Sequence, residues 1–190
     1  MSRFGALLLA LLVVVQAGCY LQPRPLTPPA PPPPQALQAS PANFRAFDGA
    51  DDLAAYLRWT PDALPLVSAH RGSPAPGYPE NSLATFDRAL AYAPALLETD
   101  VRMTADGVLV LLHDETLDRT TTGTGLLAET NAGDLDGLRL LDVVGRETPF
   151  SIPTLLEALA WAEGRAVLLL DIKRDWPPCP VVDAYRDANA

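Results

Sequence analysis

Four short apolar runs in this chain each stop on residues able to bind a cation, carry a proton or hold an anion. Leu66 to Ala69 lead into His70-Arg71-Gly72, and Leu96-Leu97 into Glu98-Thr99-Asp100. Val108 to Leu112 lead into His113-Asp114, and Leu168 to Leu170 into Asp171-Ile172-Lys173. Functional residues closing successive apolar strands are the arrangement by which a parallel α/β barrel builds its active site. His70 and His113 are the only histidines and Lys173 the only lysine.

The segments between the runs read as connecting elements. Asp51 to Trp59 has Leu53, Tyr56 and Leu57 on one helical face, and Leu66 to His70 is short and apolar, as a doubly covered parallel strand is. Asn81 or Ser82 caps a helix with the stripe Leu83, Phe86 and Leu90, which Pro94 stops. Leu96 to Met103 and Val108 to His113 form the second and third strands, linked by Thr104-Ala105-Asp106-Gly107. By local rules alone this link suits a hairpin, a pairing that the resemblance given below outweighs. Thr116 to Phe150 is polar and glycine-rich, an insertion or long active-site loop with a short helix in Thr130 to Leu141. Thr154 and Glu157 have capping-box spacing and open a helix that runs to about Glu163 and stops at Gly164. Ala166 to Ile172 is the fourth strand.

The front end is set apart by composition. Arg3, the apolar stretch Phe4 to Val15 and Gln16-Ala17-Gly18-Cys19 make residues 1–18 a signal peptide. Ala17-Gly18-Cys19 resembles a lipobox, so Cys19 is expected to carry a lipid and to anchor an exported envelope lipoprotein. Gln16 departs from the aliphatic residue preferred there, and a plain secretory signal is the alternative. Residues 19–43 are proline-rich and serve as a semi-rigid spacer. Residues 44–190 form the remaining domain, enough for one core but short of the ~250 residues of a complete eight-stranded barrel. Cys179 has no evident partner, so no disulfide framework is expected. A formal net charge of -9 argues against non-specific nucleic-acid binding, and an anionic substrate needs local cations such as Arg71, Lys173 and a bound metal.

Alternation along a strand puts Glu98 and Asp100 on one face, and Asp171 and Lys173 likewise. Three carboxylates from neighbouring strands make a hard oxygen site suited to Ca²⁺ or Mg²⁺. Each such pair taken singly also fits a solvated strand end; the set of three favours the cation. Two histidines flanking a scissile bond can serve as general base and general acid, and Arg71 offers a planar fork to a phosphate oxygen. Asp114 either orients a histidine or caps a turn.

Taken in order, His70-Arg71-Gly72, Pro79-Glu80-Asn81-Ser82, Glu98-Thr99-Asp100-Val101, Thr104 to Gly107, His113-Asp114, Arg119-Thr120-Thr121, Ile152-Pro153-Thr154-Leu155 and Asp171-Ile172-Lys173 resemble the successive motifs of glycerophosphodiester phosphodiesterases. The resemblance runs from about Leu66 to Arg174. It implies an α/β fold of the TIM-type (β/α)8 barrel, of which about the first four strands are present. It also implies metal-dependent hydrolysis of glycerophosphodiesters to glycerol 3-phosphate and an alcohol. By position, His70 and His113 become the acid/base pair, Arg71, Asn81 and Lys173 substrate-binding residues, and Glu98, Asp100, Asp171 and Glu80 metal ligands. The family usually has Glu where Asp171 stands, which makes that ligand the weakest of the set.

With four barrel strands instead of eight, the chain is expected to be a truncated member of the family. An inactive or binding-only envelope lipoprotein is the alternative, and pairing of two half barrels is a third reading.

Overall fold

A computed structural model describes residues 38–173 of the 190. The expected signal peptide, Cys19, most of the proline-rich stretch and Cys179 lie outside the described residues. The element order is helix α1 (Ala50–Leu57), strand β1 (Ser68–Ala69), helix α2 (Leu83–Tyr92), strands β2 (Leu96–Met103) and β3 (Leu109–Leu111), the single turn α3 (Ala132–Leu135), helix α4 (Leu155–Ala162) and strand β4 (Val167–Ile172). Both longer core helices start as their sequences dictate. The Ser82 side chain accepts from the Thr85 N–H at the head of α2, and Thr154 and Glu157 form a complete capping box at the head of α4. Asn81, the other candidate cap, is used elsewhere.

β2 is the spine of the sheet. β1 pairs with it in parallel through Ser68↔Leu96 and Ala69↔Leu97, and β4 pairs in parallel along its other edge from Leu96↔Val167 to Val101↔Ile172. This is an open portion of a TIM-type α/β barrel. The third run departs from the parallel expectation: β3 is antiparallel to β2, with Val101↔Leu111 and Met103↔Leu109 in register. The local chemistry of Asp106-Gly107, with Gly107 at φ 86, closes the hairpin that the barrel resemblance had outweighed. The first strand is also shorter than its apolar run. Leu66 and Val67 stay exposed, and His70 to Gly72 tighten into a 3₁₀ turn.

β3 divides two cores because successive side chains on a strand point to opposite faces. Leu109 and Leu111 join Ala69, Phe86, Leu90, Leu97, Val101, Leu155 and Ala158 between sheet and helices. Val110 and Leu112 join Leu117, Leu127, Leu135, Leu140 and Ile152 on the other side. The segment 116–150, expected as an insertion or long loop, is therefore a packed lobe with its own apolar centre. At the front, residues 40–45 already belong to the folded body: Asn43 Nδ2 donates to the Leu90 carbonyl at 2.7 Å, and the Arg45 N–H to that of Arg165 at 2.9 Å.

Candidate active site

The site is built where β1 and β4 flank β2. Leu97 and Val101 of β2 point into the core, so Glu98 and Asp100 point to the opposite face, and the parallel register sets Asp171 of β4 beside Asp100. One carboxylate oxygen from each of Glu98, Asp100 and Asp171 lies within 4.8 Å of the others. Asp100 is buried, Glu98 half-buried and Asp171 exposed at the rim. The shorter side chain at position 171 still reaches the cluster.

Of the three non-glycine residues with left-handed backbone among the described residues, Arg71 (φ 50), Ser73 (φ 65) and Asn81 (φ 55), two bond the carboxylates of this face. Such conformations are retained only where surrounding contacts over-determine them. At Asn81 the contacts are plain. Its Nδ2 donates to Asp100 Oδ2 at 2.9 Å, and its Oδ1 accepts from Thr99 Oγ1 at 2.8 Å and the Asp100 N–H at 3.1 Å. Asn81 therefore orients Asp100. At Arg71 the backbone N–H donates to Glu98 Oε2 at 2.7 Å, Nη1 to Glu80 Oε1 at 3.1 Å, and Nε stands 3.5 Å from Asp100 Oδ2.

Lys173, expected to bind substrate, is paired here with two carboxylates of the cluster: its Nζ lies 2.7 Å from Asp100 Oδ1 and 2.6 Å from Asp171 Oδ2. Burial opposes ionisation of Asp100, but hydrogen bonds from Lys173 and Asn81 outweigh it and hold the carboxyl below its ordinary value. Burial likewise opposes the charge on Lys173, and its bonds to Asp100 and Asp171 raise its pKa.

His70 and His113 arrive by different routes. His70 follows β1 directly, is largely exposed, and has Nε2 4.0 Å from Glu98 Oε2. His113 follows the antiparallel β3, which doubles back along β2 and returns the chain to the level of Asp100, whose carbonyl accepts from the Leu112 N–H at 3.1 Å. The His113 carbonyl accepts from Arg102 Nε at 2.8 Å, and its Nδ1 lies 2.6 Å from Asp114 Oδ1. Asp114 thus orients the histidine, one of the two roles left open for it.

Glu80 does not join the three carboxylates in this structure. Its oxygens take Arg71 Nη1 at 3.1 Å and Arg119 Nη1 and Nη2 at 3.0 and 2.8 Å, so two guanidiniums occupy the carboxyl expected to ligate a metal. Arg119 is the residue that sequence reasoning passed over. It also forks Asp114, with Nε 2.6 Å from Oδ2 and Nη2 2.9 Å from Oδ1. The hydrogen bond from Arg119 holds the Asp114 carboxyl well below its usual range, and the same bonds raise the Arg119 pKa. Its signal was the motif Arg119-Thr120-Thr121 itself, legible as a landmark but silent about its partner 39 residues away.

In this network five carboxylates (Glu80, Glu98, Asp100, Asp114 and Asp171) meet three permanent cations (Arg71, Arg119 and Lys173). The oxygens of Glu98, Asp100 and Asp171 that approach one another are hard donors, which fits a divalent ion.

An open portion of a TIM-type α/β sheet whose strand ends gather a hard-oxygen cluster, two histidines and a guanidinium defines the class: an α/β-barrel protein with an acidic, histidine-bearing site at its strand ends. The profile of the Glycerophosphoryl diester phosphodiesterase family matches residues 70–185, and the chain belongs to that family. A glycerophosphoryl diester phosphodiesterase from Parabacteroides distasonis superposes with a TM-score of 0.73 at 42% identity, covering 77% of this chain and 51% of that one. A glycerophosphodiester phosphodiesterase from Agrobacterium tumefaciens has a TM-score of 0.59 at 34% identity, over 66% and 54%. An Oleispira antarctica phosphodiesterase, solved with the product sn-glycerol-3-phosphate, has a TM-score of 0.53 at 33% identity, over 66% and 51%. Among curated relatives, the glycerophosphodiester phosphodiesterase of Caldanaerobacter subterraneus is 48% identical over 64 residues, 34% of this chain and 26% of that protein. The chain spans about half the length of these solved structures and less of the curated protein.

Proposed function

We propose that this site hydrolyses glycerophosphodiesters to glycerol 3-phosphate and an alcohol with the help of a divalent cation. The observation that carries the reading is the convergence of Glu98, Asp100 and Asp171 within 4.8 Å, beside His70, His113 and Arg71. Those three carboxylates are the ligands for Ca²⁺ or Mg²⁺, which when bound neutralises a phosphate oxygen and supports the charge that develops on the phosphoryl group.

The chain's own residues do the rest. Among the described residues Arg71 Nη2 makes no hydrogen bond, which leaves it for a phosphate oxygen. Lys173 supplies a second cation once it shares its carboxylates. Asp114, ionised and acceptor-only, accepts a hydrogen bond from the Nδ1–H of His113 and so leaves Nε2 as the face that exchanges protons with substrate. His70 serves the opposite side of the phosphorus. One histidine takes a proton from the attacking water as its oxygen bonds to phosphorus, and the other gives a proton to the departing alkoxide as the bond to the alcohol breaks.

The test is turnover of glycerophosphocholine by the purified chain in Mg²⁺ or Ca²⁺. Release of glycerol 3-phosphate that stops with EDTA and falls at least ~100-fold in His113→Ala and in His70→Ala is the expected result. Saturable binding with no product sinks the hydrolase reading in favour of a binding-only protein.

For location, the reading is export and anchoring through a lipid on Cys19, supported by Ala17-Gly18-Cys19 behind the apolar stretch Phe4 to Val15. Loss of metabolic palmitate labelling in Cys19→Ser tests it, and an unlabelled wild-type chain overturns it.

A further inference from the structure

We propose that Arg119 is a positioning residue that ties the acid/base histidine to the phosphate-binding arginine, and that it is not itself a ligand for substrate. The inference rests on the hydrolase reading of the site for its consequence, but its geometry stands apart from that reading. A guanidinium has five N–H donors. Arg119 spends Nε on Asp114 Oδ2 and one Nη2 proton on Asp114 Oδ1, at 2.6 and 2.9 Å. It spends the other Nη2 proton on Glu80 Oε1 and one Nη1 proton on Glu80 Oε2, at 2.8 and 3.0 Å. Four of the five donors are therefore taken by two carboxylates, each gripped in a two-pronged fork, and no fork remains to offer a phosphate.

The two carboxylates face opposite ways. Asp114 passes the contact to His113 Nδ1 at 2.6 Å, and Glu80 passes it to Arg71 Nη1 at 3.1 Å. A single planar group thus sets the distance between the histidine that moves a proton and the arginine that holds the phosphate. Lysine keeps the charge but cannot make either fork. The parts being joined come from separate stretches of chain. Glu80 sits in the loop before α2, His113 and Asp114 follow the hairpin, and Arg119 opens the 116–150 lobe. Asp142 of that lobe also accepts the Gly77 N–H at 2.8 Å, so the lobe grips the same loop twice.

The chain has only two histidines, so their ring nitrogens can be followed separately by ¹H–¹⁵N correlation, with His70 as the internal control. In the wild type His113 is expected as one tautomer with the proton on Nδ1. Arg119→Lys is expected to release Asp114, mix the His113 tautomers and leave His70 unchanged. Glu80→Gln is expected to move the His113 signals although Glu80 does not hydrogen-bond that ring, and this effect is expected to vanish in the Arg119→Lys background. On glycerophosphocholine, Arg119→Lys should lower kcat about 10- to 100-fold with KM changed less than about threefold. Arg119→Ala should regain part of its kcat in added guanidinium. Unchanged His113 signals in both single variants overturn the proposal, as does a loss confined to KM. If Arg119→Lys fails to fold, Glu80→Gln alone decides, through the same signals. Altered signals in a chain whose wild type releases no product would refute the hydrolase reading and leave the coupling standing.

Discussion

Asn81 shows how much one side chain does here. It is buried at 1% exposure, holds a left-handed backbone, and spends its amide on Asp100 and Thr99. Asn tolerates that backbone better than most residues, and its short amide supplies donor and acceptor at once. Asn81→Ala is expected to cost about 2–4 kcal/mol of stability, since three buried hydrogen bonds are lost together with a tolerated left-handed residue. Urea unfolding of the two proteins measures it, and a cost under about 1 kcal/mol would contradict the role assigned. Asp100 and Asp114 make a second prediction, on pH. Both have folded-state pKa values lowered from the ordinary carboxylate, so their stabilisation is fully present above the unfolded value of about 4 and is lost as pH falls through the folded values. The urea midpoint should therefore drop below about pH 4, and less steeply in Asp114→Asn.

Elements of this chain follow local rules wherever local rules suffice. The capping box at Thr154 and Glu157 starts α4, and Thr154→Ala is expected to cost about 1 kcal/mol in the same unfolding measurement. The turn after β1 is less forgiving. Gly72 has φ 80, and a Cβ there would lie 2.7 Å from Phe86 Cδ1 and 2.9 Å from Thr85 Cγ2. Gly72→Ala is expected to cost more than the cap, about 2 kcal/mol or above, because α2 must shift to admit it. Helix starts, the Asp106-Gly107 turn and the apolar runs were legible because each is written within a few residues. The direction of β3 was not settled by its composition, since an apolar run flanked by polar residues reads the same in either orientation. The two-sided burial of β3 likewise depended on the 116–150 lobe folding over it, which its weak periodicity concealed.

At the scale of the whole molecule, three carboxylates from two strands converge on one face of the sheet. A divalent ion that binds the folded chain and not the unfolded one stabilises it, by about 2.7 kcal/mol at a hundredfold excess over Kd. Mg²⁺ or Ca²⁺ should raise the thermal midpoint of the EDTA-treated protein, and Asp100→Asn should abolish the rise. A midpoint indifferent to both ions would remove the cation from the account. The half-buried apolar residues of β4 and the exposed Leu66 and Val67 have a related origin. β1 and β4 each pair with β2 alone among the described residues, whereas strands of a complete barrel have a neighbour on both edges.

The sequence alone determined that His70, Glu98, Asp100, His113, Asp171 and Lys173 close apolar runs, and alternation determined which of them share a face. Tertiary structure alone decided their partners. It gave Glu80 to two arginines instead of the carboxylate cluster, and made Arg119 the link between Asp114 and Glu80. The physical reason is range. Strand alternation, caps and turns act over a few residues and are written in the pattern, whereas an ion pair 39 residues apart in sequence exists only once packing has fixed both ends.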